Sequence, residues 1–350
     1  MRVVVTGGAG FIGSHVVERL LRQGAHVSVM DNLSTGEARN LVDAFRLGLA
    51  ENDVHLCDIS DRHAESLIRA LRPDVVVHLA ARTSVAESCV DPVRDAVVNV
   101  AGTANVIQAS VLAGVKKIVF AASCAIYGEV DECVLPVGEH QDWRPVSPYG
   151  ASKEAGIRYL QVARRAHRID YAVLVMGNVY GPRQRPPGVI PAFLDAFAAG
   201  TPPSLHGLGS QTRDFVHVTD VAEAFSSACT RGSELVANVG SGVETSVRDI
   251  YERLAAAAGY DDRSVKFENR IQGVTRMCLD VRRAASALAW TPRVSLNQGL
   301  DQLGHSHHRR MRRAPTSSSA AGRADGIPSI DSAPGVGPRQ LGNAVTACEG

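Results

Sequence analysis

Short β-branched runs alternate with longer helix-period stretches through the first half of this chain. RVVVTGG, at its start, reads as a buried strand. Ile12, Val16, Val17, Leu20 and Leu21 then recur at helical spacing, and Gly24 closes that helix. HVSVMD, VHLCDI, DVVVHLAA and KKIVFAASC predict the second to fifth strands, with a helical stretch from Asp91 to about Leu112 before the fifth. SPYGASK opens another helix, for which Ser147 is a suitable cap and Pro148 a suitable first residue. YAVLVMGNVYG follows as a sixth strand. Continuous apolar strands alternating with helices imply an α/β fold, a doubly wound parallel sheet covered on both faces.

Past Gly181 the rhythm loosens. Proline and glycine cluster in GPRQRPPG and GTPPSLHGLGS, and shorter elements follow: RDFVHV, a helix from Asp220, and VANVGSG. The chain therefore divides into a sheet domain over 1–180 and a smaller, partly interleaved C-terminal substrate lobe over 181–302. A tail over 303–350, rich in Ser, Ala, Gly and Pro, is predicted to be disordered because it cannot bury enough apolar surface to offset its ordering entropy.

Charge and cysteine usage narrow the function. Lys plus Arg total 37 against 36 for Asp plus Glu, so no global field draws the chain to nucleic acid or a membrane. No apolar run reaches the ~20 residues that span a bilayer. The seven cysteines form no C-x-x-C pair and no metal-ligand spacing, which suits free thiols in a reducing compartment. With a strand at the second residue and no apolar signal segment ahead of it, the expected location is cytoplasmic.

Two constellations carry chemistry. Gly7, Gly10 and Gly13 form G-x-x-G-x-x-G between the first strand and first helix, where the backbone can approach a pyrophosphate and a helix N-terminus offers unpaired N–H groups. Eighteen residues past Gly13 stands Asp31, whose carboxylate can accept hydrogen bonds from a ribose diol and repels a 2′-phosphate, favouring NAD over NADP. Tyr149 and Lys153, four residues apart, share one helix face. A tyrosine with a pKa of about 10 becomes a usable base only when a nearby cation favours its phenolate.

The ordered set TGGAGFIGSH, DNLSTG, CDI, VVHLAA, NVAGT, SCAIYG, SPYGASK, NVYGPRQ and QTRDFVHVTD resembles the extended short-chain dehydrogenase/reductase family. Within it the chain is most similar to the NAD-dependent epimerase/dehydratase group, and there to nucleotide-sugar 4-epimerases of the UDP-glucose/UDP-galactose type. The resemblance runs from residue 1 to about 300. It implies a Rossmann-type fold, bound NAD, a UDP-hexose as the expected substrate, and a homodimer built on the helices after the fourth and fifth strands. It assigns Ser123, Tyr149 and Lys153 to catalysis. It assigns Gly7, Gly10, Phe11, Ile12, Gly13, Asp31, Asn32, Ser34, Thr35, Gly36, Asp58, Ile59, Leu79, Ala80, Ala81 and Asn99 to cofactor binding, together with Tyr149 and Lys153. Thr83, Ser123, Asn178, Arg213 and Arg270 are the implied substrate contacts, and no metal is implied.

Sister enzymes that dehydrate the sugar carry Asp-Glu after the catalytic Ser/Thr. Here Cys124 and Ala125 stand there, which favours epimerisation. Val175, Met176 and Gly177 replace the family's arginine and aromatic residue before Asn178, and the expectation is a wider pocket near the nicotinamide.

Overall fold

A computed structural model describes residues 1–186, 188–260, 264–268 and 274–313, the last four as backbone alone. Its strands are β1 (Arg2–Thr6), β2 (His26–Asp31), β3 (Val54–Leu56), β4 (Val75–His78), β5 (Lys117–Ser123), β6 (Asp170–Met176), β7 (Asn178–Tyr180), β8 (Ser204–His206), β9 (Thr212–His217), β10 (Leu235–Val239), β11 (Glu244–Ser246) and β12 (Lys266–Glu268). Seven of them form a parallel sheet in the order β10-β6-β5-β4-β1-β2-β3. The order reverses between β1 and β4, and in such sheets the crevice beyond the strand C-termini at that reversal is where a dinucleotide binds.

Alternation of side chains along the strands produces two cores. Val3, Val5, Val27 and Val29 point to one face and pack with Val16, Val17 and Leu20 of α1 (Phe11–Arg22). Val4, Met30, Val76, Ile118 and Phe120 point to the other, against α3 (Arg62–Leu71), α6 (Thr103–Leu112) and α7 (Pro148–His167). The short helices α2 (Val42–Arg46), α4 (Val85–Val90) and α5 (Pro92–Ala96) fall in the connections that follow β2 and β4. The predicted helix from Asp91 to Leu112 is α5 and α6 joined by a π-helical segment, Val97–Gly102.

Helices α8 (Val189–Ala199), α9 (Val218–Ala228), α10 (Val247–Ala258), α11 (Arg282–Leu288) and α12 (Leu296–Arg313) complete the described residues. Phe193, Phe197, Phe215, Ile250, Tyr251 and Leu254 make a third core. The segment after Gly181 also contributes to the main sheet and its core: β10 pairs with β6, and Val221 and Phe225 of α9 join the core under α1.

Helical structure continues past residue 303. Residues 303–313 continue α12, although 303 was the expected start of the tail. Gly304 is the reason: a Cβ there would sit 2.7 Å from the Ala257 backbone, so its absence lets α12 close on α10, and His308 Nδ1 lies 3.0 Å from the Ala258 carbonyl oxygen. The remainder of that tail, 314–350, lies outside the described residues, as does Arg270. Among the described residues no helix is long and apolar enough to cross a membrane, and no cluster of His, Cys, Asp and Glu could hold a metal.

Candidate active site

The glycine turn is built by close approach. A Cβ on Gly7 would lie 2.7 Å from Ala80 N, and one on Gly13 would lie 2.0 Å from Gly7 O, so both glycines are demanded by packing. Gly10 differs: its Cβ would meet only Gly7 O, at 3.1 Å, leaving open space at the start of α1. That helix has no side-chain cap and no acidic residue in its first turn, so its N–H groups and positive dipole end remain available to an anion.

Asp31 ends β2 and is buried; Ala9 N–H and Leu33 N–H donate to its two oxygens at 2.9 and 2.8 Å. Burial raises its pKa, and these two amides oppose the rise. Gly36 closes over the carboxylate, with space for no Cβ between them. Asn32 donates to Asp58 Oδ2 at 2.7 Å, and Ile59 packs against Gly102. Leu79 N–H donates to Thr6 O, and Ala80 N–H to Thr6 Oγ1, which fixes the Leu79–Ala81 segment beside Gly7. These residues fit a dinucleotide: an uncapped helix start, a side-chain-free cradle at Gly10, and a carboxylate beside it. Phe11 and Ile12 are half-buried on the first turn; Ser34, Thr35 and Thr83 are exposed on flanking loops.

The catalytic candidates meet on α7 and the end of β5. The Ser147 hydroxyl accepts from Gly150 N–H at 3.1 Å and Pro148 takes the first turn, as the sequence predicts. Tyr149 and Lys153 are both buried, and the ammonium lies 5.8 Å from the Tyr149 ring centroid and 5.1 Å from that of Phe120. Burial pushes the Tyr149 phenol above its ordinary pKa, while the Ser123 hydroxyl beside it works the other way. Burial brings Lys153 down to about 8, and the Asp95 carboxylate opposes that fall. His78, between Thr6 Oγ1 at 2.7 Å and Thr103 Oγ1 at 3.0 Å, is driven to about 3 by burial and by the Lys153 charge.

Asn99 serves this centre from behind. Its amide nitrogen contacts the Arg82 carbonyl, Asp95 Oδ1 and Ser152 Oγ, and its oxygen accepts from Arg82 N–H. Its nitrogen is thus engaged inside the protein, bracing α7 and the loop after β4. Asp95, Ser152, Phe120 and His78 were missed from sequence. Only Asp95 carried a signal, sitting one helical turn before Asn99; the others become recognisable once the sheet and α7 are assembled.

On the substrate side, Asn178 is half-buried on β7, hydrogen-bonded in register to β9. Arg213, on β9, donates to Thr212 O and makes no ion pair among the described residues. Burial lowers its pKa, and Cys124 and Glu129, close by, act against that. Its neighbour Asp214 is a buried hub accepting from Ser241, Gly242 and Leu279 N–H groups, which fixes the strand that carries Arg213. At Gly177 a Cβ would lie 2.7 Å from Asp214 O, so β9 backbone occupies the space a side chain would take there. Cys124 is pushed up to about 11 by burial, so it cannot act as a base near neutrality.

Comparison with known proteins agrees with this geometry. Residues 3–240 match the family described as NAD dependent epimerase/dehydratase. A UDP-glucose 4-epimerase of Mycolicibacterium smegmatis is 41% identical over 305 residues, covering 86% of this chain and 96% of that protein. The crystal structure of a Thermotoga maritima UDP-glucose 4-epimerase with UDP-glucose superposes with a TM-score of 0.83 at 38% identity, covering 89% of this chain and 100% of the other. A Streptomyces venezuelae dTDP-glucose 4,6-dehydratase with NAD bound gives a TM-score of 0.81 at 30% identity, covering 89% and 98%. The chain belongs to the NAD dependent epimerase/dehydratase family, and is an NAD-dependent enzyme of the extended short-chain dehydrogenase/reductase type.

Proposed function

We propose that this enzyme is a nucleotide-sugar 4-epimerase acting on a UDP-hexose of the glucose/galactose type. Tyr149, held beside a buried ammonium, takes the proton from the sugar hydroxyl as general base, and Ser123 orients that oxygen. Bound NAD supplies the reversible hydride acceptor. Lys153 stabilises the phenolate and Arg213 faces the diphosphate, for which a guanidinium with no ion-pair partner among the described residues is well suited. The 4-keto sugar then turns over and is reduced on its other face.

The pair of residues directly after Ser123 carries the reading. Cys124 and Ala125 offer no acid–base pair for removing a C6 hydroxyl, while the base itself is intact. The M. smegmatis and T. maritima relatives support the same choice. Purified protein mixed with UDP-galactose, without added cofactor, is expected to yield UDP-glucose. Release of a keto-sugar, carbon dioxide or stoichiometric NADH would replace epimerisation with dehydration, decarboxylation or net oxidation. Inactivity across UDP- and dTDP-sugars would leave a non-catalytic NAD-binding regulator.

The same reading includes a cytoplasmic homodimer. Val90, Val93, Val97 and Leu112 on the α4–α6 stretch and Tyr159 and Val162 on α7 are large apolar side chains exposed on the helices expected to pair. Sedimentation of the wild type and of Val93→Asp tests it: a monomer in both would end the dimer proposal.

A further inference from the structure

Beyond β7 the chain turns back through Gly181–Pro186, and this short strap is tied repeatedly to the dinucleotide half. The His15 ring nitrogen Nε2 lies 3.1 Å from the Pro182 carbonyl oxygen. Arg183 Nη1 donates to Ser14 Oγ at 3.1 Å, while Nη2 pairs with Glu18 at 2.5 Å and Asp43 at 3.1 Å. Arg185 pairs with Glu37. The Arg183 guanidinium and Glu18 carboxylate are largely removed from water, at 19% and 7% side-chain exposure, so this pair is screened far less than a surface one.

The anchor points are not scattered. Ser14 N–H donates to the carbonyl of Gly10, the open cradle of the glycine turn. Glu37 N–H donates to Ala9 O, and its neighbour Gly36 closes over the Asp31 carboxylate. The strap therefore fastens at both features that would hold a dinucleotide: the phosphate cradle and the ribose acceptor. Arg183 also adopts a left-handed backbone, φ +70°, which a non-glycine residue rarely does and which is strained. A glycine would relieve that strain, yet an arginine stands there.

We propose that Arg183 and Arg185 form an ion-pair latch that retains NAD, positioning the strap so that the cofactor leaves only when these ties break. The inference rests on the reading of a redox-neutral reaction, in which the cofactor that accepts the hydride must remain to return it. Neither arginine touches reacting atoms; both act through the residues they fasten.

The test measures release, independently of turnover. Protein loaded with NAD is freed of excess cofactor by gel filtration and dialysed, and bound NAD is quantified at timed intervals. Arg183→Gly deletes the guanidinium while easing the backbone, so the thermal midpoint of NAD-free protein should change little while NAD is released about tenfold faster or more, equivalent to ~1.4 kcal/mol. Raising ionic strength should weaken the more exposed Arg185–Glu37 tie, and so accelerate release from wild type more than from Arg185→Ala. Arg185→Ala and Glu37→Gln, at an exposed pair, give a smaller acceleration and remain informative if Arg183→Gly fails to fold. Release as slow from all variants as from wild type overturns the latch alone. A wild type that loses NAD within minutes, or binds none, overturns the latch together with the redox-neutral reading beneath it.

Discussion

Tyr149 and Lys153 stand one turn apart on α7 with the ammonium 5.8 Å from the phenol ring centroid, and both are buried. Burial works against ionisation of the one and protonation of the other, while the Ser123 hydroxyl favours the phenolate and the Asp95 carboxylate favours the ammonium.

Tyr149→Phe removes the base and keeps the ring. Epimerisation is expected to fall by roughly 10²–10⁴, the usual worth of a positioned proton acceptor, while bound NAD stays at wild-type stoichiometry. Loss of NAD along with activity would show that the Tyr149 hydroxyl is needed to hold the cofactor as well as to act as base.

The alkaline side of the pH–rate profile should belong to Lys153. Its pKa of about 8 means that above this pH the ammonium is lost and the phenolate loses its partner, so activity falls. Lys153→Arg, whose charge persists to about pH 12 or beyond, should remove that limb even if it lowers the plateau. A limb unchanged in the variant would assign the titration elsewhere.

Asp95 is a buried carboxylate, hydrogen-bonded at 2.9 Å by Asn99, that favours the charged form of Lys153. Asp95→Asn can still accept that hydrogen bond but carries no charge. The alkaline limb should therefore move to lower pH with little change in thermal midpoint; a purely structural role would leave the limb in place.

The glycines of the turn should separate folding from binding. Gly13→Ala forces a Cβ to 2.0 Å from Gly7 O and should cost about 1–3 kcal/mol of stability, as overpacking does. Gly10→Ala points into the open cradle, so the NAD-free protein should unfold near the wild-type temperature while NAD affinity, read by titration calorimetry, drops.

Acid stability should follow His78. Folded, it stays neutral down to about pH 3, whereas in the unfolded chain it binds a proton near 6.5. Between those values the unfolded state holds more protons, so stability is full above 6.5 and declines as pH falls through that window. Urea midpoints should therefore drop from pH 6.5 to pH 5 by an amount equivalent to roughly 2 kcal/mol from this one residue. The half-buried His15 and the buried His217, whose pKa values burial also lowers, act in the same direction. His78→Gln should flatten the dependence.

The one-dimensional pattern by itself determined the alternating elements, the glycine turn and the Tyr149–Lys153 pair, because each depends on spacing within one strand or one helical turn. The parallel sheet was legible for the same reason: fully buried strands must be apolar throughout. Tertiary structure alone decided which distant groups share a buried space. It set Asp95 to act on Lys153, filled the space beside Gly177 with the β9 backbone, carried β10 into the main sheet and bound Arg183 to Glu18 across 165 residues of chain. Electrostatic coupling and close packing depend on distance through space and on exclusion of water, and neither quantity is written in the order of the residues.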